Sequence, residues 1–278
     1  MSIIIFNKKV IPADTSCINH TDRGFNLGHG LFETILVKKN AYPALDYHWK
    51  RLAASAPLLG IDLPFSYEEL ELMLRDLIVK NNLQEKIAGA RVTITHGEAG
   101  RGILPAQSPL PSFLITVFES AAPKSNPYSA LIVNTRKNEH TIASRVKTIS
   151  YIDNILARKE AMAQNYDEAI LLNTSSNVAD GSISNIFMVK NGQILTPPVS
   201  DGALPGVVRA IILEEFSQDF SIREQTISPD EFMQADEIFL TNALMGVKSV
   251  NRLGDKLLDS FDVADKVKGL LQKRKNYI

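Results

Sequence analysis

Lys147-Thr148-Ile149-Ser150-Tyr151-Ile152-Asp153-Asn154 places a lysine at the head of a segment that then turns into an amphipathic helix. About thirty residues later comes an acidic turn, Val178-Ala179-Asp180-Gly181-Ser182-Ile183-Ser184-Asn185-Ile186-Phe187. Asp201-Gly202-Ala203-Leu204-Pro205-Gly206-Val207-Val208-Arg209 follows, with a glycine leading a helix start. A lysine amine condenses with an aldehyde. A carboxylate pairs with a protonated ring nitrogen, and a helix start takes a phosphate on its N–H groups. Together these are the parts needed to hold pyridoxal 5′-phosphate. Each alone also has a plainer reading, since most lysines are solvated and most Asp-Gly pairs are turns.

Further segments extend the pattern. They are Asp22-Arg23-Gly24-Phe25, Gly28-His29-Gly30-Leu31-Phe32-Glu33-Thr34 and His48-Trp49-Lys50-Arg51-Leu52. Thr95-His96-Gly97-Glu98-Ala99-Gly100-Arg101-Gly102 and Ala235-Asp236-Glu237-Ile238-Phe239-Leu240-Thr241-Asn242-Ala243-Leu244-Met245 complete it. In this order and spacing the chain resembles the fold-type IV pyridoxal-phosphate enzymes, the class IV aminotransferase family. That family includes branched-chain and D-amino-acid aminotransferases and aminodeoxychorismate lyase. The resemblance covers almost the whole sequence. It implies an α+β fold of two sheet-based domains with the cofactor site in the cleft between them. It also implies a homodimer in which a loop of the neighbouring subunit completes each active site.

Composition agrees with a folded enzyme. A chain of 278 residues, 22% of them charged, is long enough for a full core. A formal charge of −1 gives no general attraction to nucleic acid or anionic lipid. Cys17 is the single cysteine, which excludes an internal disulfide and a thiolate metal cluster. The five histidines are scattered, so no metal is expected. The apolar run at Met1-Ser2-Ile3-Ile4-Ile5-Phe6-Asn7 is too short for a signal peptide, and no segment nears the ~20 apolar residues of a membrane helix. The expectation is a cytoplasmic protein acting on a small amino substrate.

Local patterns predict strands at 3–6, 31–38, 91–95, 113–118, 130–135, 168–173 and 237–241. A hairpin at 185–196 is expected to turn on Asn191-Gly192. Helices are expected near 47–59, 67–81 and 151–165, after Gly206, and from Ser228-Pro229. Ser66 and Glu69 have capping-box spacing. Residues 121–127 read as a linker between an N-terminal domain, 1–120, and a C-terminal cofactor-binding domain, 128–278.

The resemblance assigns roles residue by residue. Lys147 carries the cofactor and is the catalytic base. Arg51 grips the phosphate with a guanidinium fork, although a surface arginine would look the same. Asp180 stands where the family usually has a glutamate paired with the pyridine nitrogen, so its carboxyl is one methylene shorter. Gly206, Val207 and Val208 start the phosphate-binding helix, and Asn242, Ala243 and Leu244 form a further cofactor-binding turn. The family's threonine hydroxyls have no counterpart at Val208 and Ala243. Tyr151 either polarises the cofactor's phenolic oxygen or faces the core. Arg91 and Arg101 are candidates for a substrate carboxylate, and His29 reads as structural.

Three features point to the lyase within the family. They are Asn242-Ala243-Leu244-Met245, the spacing of four between Lys147 and Tyr151, and the loop Gly100-Arg101-Gly102. The lyase converts 4-amino-4-deoxychorismate to 4-aminobenzoate and pyruvate, in folate synthesis. Two alternatives stay open: a D-amino-acid or branched-chain aminotransferase, and a non-catalytic relative that binds pyridoxal phosphate.

Overall fold

The computed structural model describes residues 2–100, 102–104, 109–121 and 125–274. It divides into two compact units. One comprises Met1–Ala122 with Lys147–Ser150, the other Pro123–Val146 with Tyr151–Ile278. Four residues around Lys147 thus belong with the first unit, which a linear partition of the chain does not anticipate. Of the expected linker, residues 122–124 lie outside the described residues.

The first unit is built on strands β1 (Ile3–Phe6), β2 (Lys9–Pro12), β3 (Gly30–Lys38), β4 (Ile87–Thr95) and β5 (Ser112–Glu119). They form an antiparallel sheet in the order β2-β1-β5-β4-β3. Its helices are α1 (Arg23–Leu27), α2 (Leu45–Ser55) and α3 (Tyr67–Lys80). The strand period of two sorts side chains onto opposite faces. Leu31, Ile35 and Val37 share one face with Ala90, Val92 and Ile94 and with Phe113, Ile115 and Val117, all buried. α2 packs on β3, and α3 packs on β1 and β5. The opposite face carries Phe32 and Thr34, then Arg91, Thr93 and Thr95, then Ser112 and Leu114.

Pro57 cuts the expected 47–59 helix short. α2 stops at Ser55 and a separate 3-10 turn covers Pro57–Leu59, because proline has no N–H to continue the ladder. α3 is capped as its sequence predicts, Ser66 and Glu69 each accepting from the other's backbone N–H.

The second unit holds a mixed sheet in the order β11-β10-β9-β12-β13-β6-β7-β8. Its strands are β6 (Tyr128–Lys137), β7 (Glu168–Asn173), β8 (Val178–Gly181), β9 (Asn185–Lys190), β10 (Gln193–Thr196), β11 (Ile222–Glu224), β12 (Glu237–Asn242), β13 (Gly246–Leu253) and β14 (Lys256–Leu257), the last pairing with β13. The helices are α4 (Ile142–Arg145), α5 (Ile152–Ala163), α6 (Val207–Glu215), α7 (Pro229–Phe232) and α8 (Asp262–Lys273). The β9–β10 hairpin turns on Asn191 and Gly192, both at positive φ. β7 is buried along its whole length. Ile170, Leu172, Val178, Ile186, Phe232, Ile238 and Leu240 belong to one core cluster, while Ala169 and Leu171 pack with Val133 and the α5 residues Ala157 and Ala161. α5 therefore buries its small residues and exposes Ile152, Ile155, Leu156 and Met162. No helix among the described residues is long and apolar enough to cross a membrane.

The α3 cap offers a local test of the fold. Ser66→Ala should cost about 1 kcal/mol, read as a lower urea midpoint with an unchanged slope. An unaltered midpoint would contradict the role given to the cap.

Candidate functional site

Lys147 owes its placement to backbone pairing. Its carbonyl accepts from Phe32 N–H (2.8 Å), and Ile149 N–H donates to Gly30 O (3.0 Å). Lys147–Ile149 thereby runs as a short antiparallel strand along β3. Gly30 permits this approach, since a Cβ there would stand 2.5 Å from Ile94 O and 2.9 Å from Ile149 Cδ1. The lysine Nζ lies 4.4 Å from the centre of the Phe32 ring, and the Arg91 guanidinium carbon 3.8 Å from the same centre. A lysine amine and an arginine guanidinium thus share one aromatic ring.

Glu33 follows Phe32 and points to the other face of β3, into α2. Its Oε1 accepts from Arg51 Nε (2.8 Å) and its Oε2 from Arg51 Nη2 (2.6 Å). His48 Nδ1 donates to the same Oε2 (2.6 Å). His48 and Arg51 are three apart on α2 and so share a helix face. Burial pushes the Glu33 carboxyl up, but the Arg51 charge and the His48 hydrogen bond outweigh it and hold its pKa at about 2. Burial pushes the His48 imidazole down, against Glu33, so His48 acts as a neutral donor. Arg51 is therefore oriented, and partly neutralised, by a buried carboxylate.

The segments around these residues are structural. Asp22 caps α1 through Gly24 N–H and Phe25 N–H, and Arg23 donates to the carbonyls of Gly102, Ile103 and Leu104. His29 accepts from Arg23 Nε, donates to Leu59 O and stacks on His96 at 4.5 Å. Arg101, expected to meet substrate, lies outside the described residues.

In the second unit Asp180 is buried and three groups converge on it. Asn185 Nδ2 donates to Oδ1 (3.0 Å), while Leu204 N–H and Lys137 Nζ donate to Oδ2 (both 2.9 Å). Asn185 Nδ2 also donates to Leu204 O (2.7 Å). Gly206 must lack a side chain, because a Cβ would fall 1.7 Å from Asn185 Oδ1. The acidic turn is thus tied directly to the α6 start. That start has no side-chain cap, and the amides of Val207 and Val208 find no acceptor among the described residues. The hydroxyl of Thr241, opposite Asn185 in the β9–β12 ladder, is buried and unpartnered among the described residues.

Asn242 folds its own turn. Its Oδ1 accepts from Leu244 N–H (3.1 Å) and Met245 N–H (2.7 Å), and its Nδ2 donates to Ile183 O. That pairing occupies the Leu244 amide and leaves Ala243 N–H without an acceptor among the described residues. Tyr151 precedes α5 and lines a cavity of about 570 Å3 with Asn154, Ile155, Arg158 and Ile183.

These features suit pyridoxal phosphate by their chemistry. Uncapped amides and an unpartnered hydroxyl suit a phosphate, a buried carboxylate suits a ring nitrogen, and a lysine beside an aromatic ring suits an aldehyde. Sequence reasoning left Glu33, His48, Lys137, Asn185 and Thr241 without roles. A carboxylate in the middle of an apolar strand, as at Glu33, was the available signal.

Glu33 and His48 make stability depend on pH with a definite sign. Both have lowered pKa values, from 4.5 and 6.5. Each contribution is present above the unfolded value and fades as pH falls toward the folded one, worth on the order of 3 kcal/mol for Glu33. Wild-type urea midpoints should fall below pH 6.5 and more steeply below 4.5. Glu33→Gln should be the less stable at pH 7, with the gap narrowing on acidification. A gap independent of pH would contradict this account.

Comparison with known proteins follows the same lines. The amino-transferase class IV family model matches residues 30–253. The D-alanine aminotransferase of Bacillus licheniformis is 26% identical over 258 residues, 92% of this chain and 90% of that protein. A Legionella pneumophila structure provisionally assigned as a 4-amino-4-deoxychorismate lyase is 29% identical, with a TM-score of 0.86 over 94% of this chain and 96% of its own. The branched-chain aminotransferase of Thermoproteus uzoniensis shares the fold at a TM-score of 0.90, with 24% identity over 97% of this chain and 93% of its own. The two-sheet α+β architecture is therefore that of the fold-type IV enzymes, and the chain belongs to the class IV aminotransferases.

Proposed function

We propose that this chain is a pyridoxal-phosphate-dependent lyase that splits 4-amino-4-deoxychorismate into 4-aminobenzoate and pyruvate. Class IV aminotransferases work with pyridoxal 5′-phosphate. In this reading Lys147 holds the aldehyde, Arg51 and the Val207 and Val208 amides take the phosphate, and Asp180 meets the ring nitrogen. The turn at Asn242-Ala243-Leu244 and the Tyr151 hydroxyl complete the cofactor's surroundings. One observation carries the substrate assignment. Arg91 borders a cavity of about 250 Å3 walled by Phe6, Phe25 and Leu114, with the hydroxyls of Thr93 and Ser112 and, at one end, the Asp22 carboxylate, which accepts from Thr95. An apolar wall ending in a guanidinium and hydroxyls suits a six-membered ring bearing carboxylates. A substrate the size of alanine would leave that cavity largely unfilled.

The bound cofactor supplies an aldehyde for the substrate amine and a ring that draws electrons from the carbon beside it. The residues do the rest. With the cofactor bound, Lys147 Nζ would take the proton from the ring carbon that bears the substrate amine. The bond from the ring to the enolpyruvyl oxygen breaks, and that group leaves as pyruvate once protonated. The ring becomes aromatic, which supplies much of the driving force. Arg91, by holding a carboxylate, would orient the ring proton toward Lys147, and Arg101 is the second candidate for a carboxylate.

Amino transfer is the second reading, supported by the likeness to D-alanine aminotransferase. The two differ in their need for an acceptor. The purified protein should release pyruvate from aminodeoxychorismate with no keto acid present, and should transfer little from D-alanine or branched-chain amino acids to 2-oxoglutarate. Robust transfer without pyruvate release would favour the aminotransferase. Bound cofactor with neither activity would favour a non-catalytic relative. Arg91→Met should raise KM for aminodeoxychorismate about tenfold or more, as loss of a charge-assisted pair implies, and an unchanged KM would remove Arg91 from the substrate site.

The homodimer belongs to this proposal as well. The exposed apolar residues of α5 support it, since such a face is suited to burial against another chain. Sedimentation equilibrium should give twice the chain mass. A fully active monomer would contradict it.

A further inference from the structure

Asp180 is not a lone carboxylate. Its Oδ2 already accepts from the Lys137 ammonium and from Leu204 N–H, and its Oδ1 from Asn185. A carboxylate offers about four lone-pair positions, so three are taken and one is left for a further donor. Both members of the ion pair are withdrawn from solvent, Lys137 at 14% side-chain exposure and Asp180 at 5%, where screening is weak. Among the described residues Asp180 is the carboxylate paired with Lys137. Glu139 spends its carboxylate on Thr174 N–H and on the hydroxyls of Thr174 and Ser175. One Asp201 carboxyl oxygen is buried without a partner among the described residues.

We propose that Lys137 is a positioning residue that acts through Asp180, cancelling much of the negative charge the site presents to the cofactor's ring nitrogen. This inference rests on the reading that pyridoxal phosphate binds with that nitrogen at Asp180. A nearby carboxylate favours the protonated nitrogen, and a cation behind the carboxylate opposes it. The ring nitrogen therefore gives up its proton at lower pH than a carboxylate alone would allow. The pair makes the ring a weaker electron sink. Such a site suits a reaction that gains its own driving force by forming an aromatic ring, and it disfavours the reversible proton shift of amino transfer. The shorter side chain of aspartate, and its engagement by Lys137, are then two aspects of one adjustment.

The test uses the full-length protein loaded with pyridoxal phosphate labelled with ¹⁵N in the ring. The ¹⁵N shift reports the protonation of that nitrogen directly, without turnover. Lys137→Met should raise the pH at which the nitrogen loses its proton by roughly one unit or more, and Lys137→Arg should titrate like wild type. Lys137→Gln, which keeps a polar chain, gives the same reading should Lys137→Met not fold. Equal midpoints in wild type and the neutral variants, with cofactor bound, would overturn this inference and leave the proposed function standing. A protein that takes up no pyridoxal phosphate would overturn the proposed function and this inference with it.

Discussion

Two backbone hydrogen bonds, between Phe32 N–H and Lys147 O and between Ile149 N–H and Gly30 O, decide where Lys147 sits. They fasten a four-residue segment to the first unit while the chain on either side belongs to the second. Without them Lys147 would be one more lysine before a helix. With them its amine is set over the Phe32 ring that Arg91 also contacts, one residue along β3 from the Glu33 cluster. The glycine at position 30 is the sequence cost of that arrangement, because any side chain there would collide with Ile94 O and Ile149.

Each unit carries, among the candidate site residues, a buried carboxylate paired with a cation. Glu33 orients Arg51 and draws a hydrogen bond from neutral His48. Asp180 gathers Lys137, Asn185 and Leu204 and links the acidic turn to the α6 start. The logic is shared: a charge too costly to bury alone is paired and hydrogen-bonded on nearly every side. The consequence differs. At Glu33 the pair fixes the direction of an arginine fork. At Asp180 three donors occupy the carboxylate and leave one lone-pair position.

Much of this was legible in the sequence. The capping box at Ser66 and Glu69, the hairpin at Asn191-Gly192 and the strands at 3–6 and 168–173 lie where local chemistry predicts. Local signals fail where tertiary contacts decide. β13 is central to its sheet, yet Lys248, Ser249, Asn251 and Arg252 interrupt its apolar residues, so no clean alternation marks it. α8 begins after Phe261 with no side-chain cap, so no start signal marks it, although Ala264, Val267 and Leu271 are spaced for one helix face, all buried. The candidate site divides the same way. Lys147, Asp180 and Gly206 stand out through their motifs. Lys137 and Thr241 become visible only when the sheet brings them beside Asp180 and Asn185, because nothing in their immediate sequence distinguishes them.

The central claim is that Lys147 carries pyridoxal phosphate. Borohydride reduction of the loaded protein fixes the cofactor to the amine that holds it, and peptide mass mapping then locates it. The account predicts a single modified lysine, Lys147, and no label in Lys147→Ala. Label on another lysine in the wild-type protein, or none at all, would contradict it.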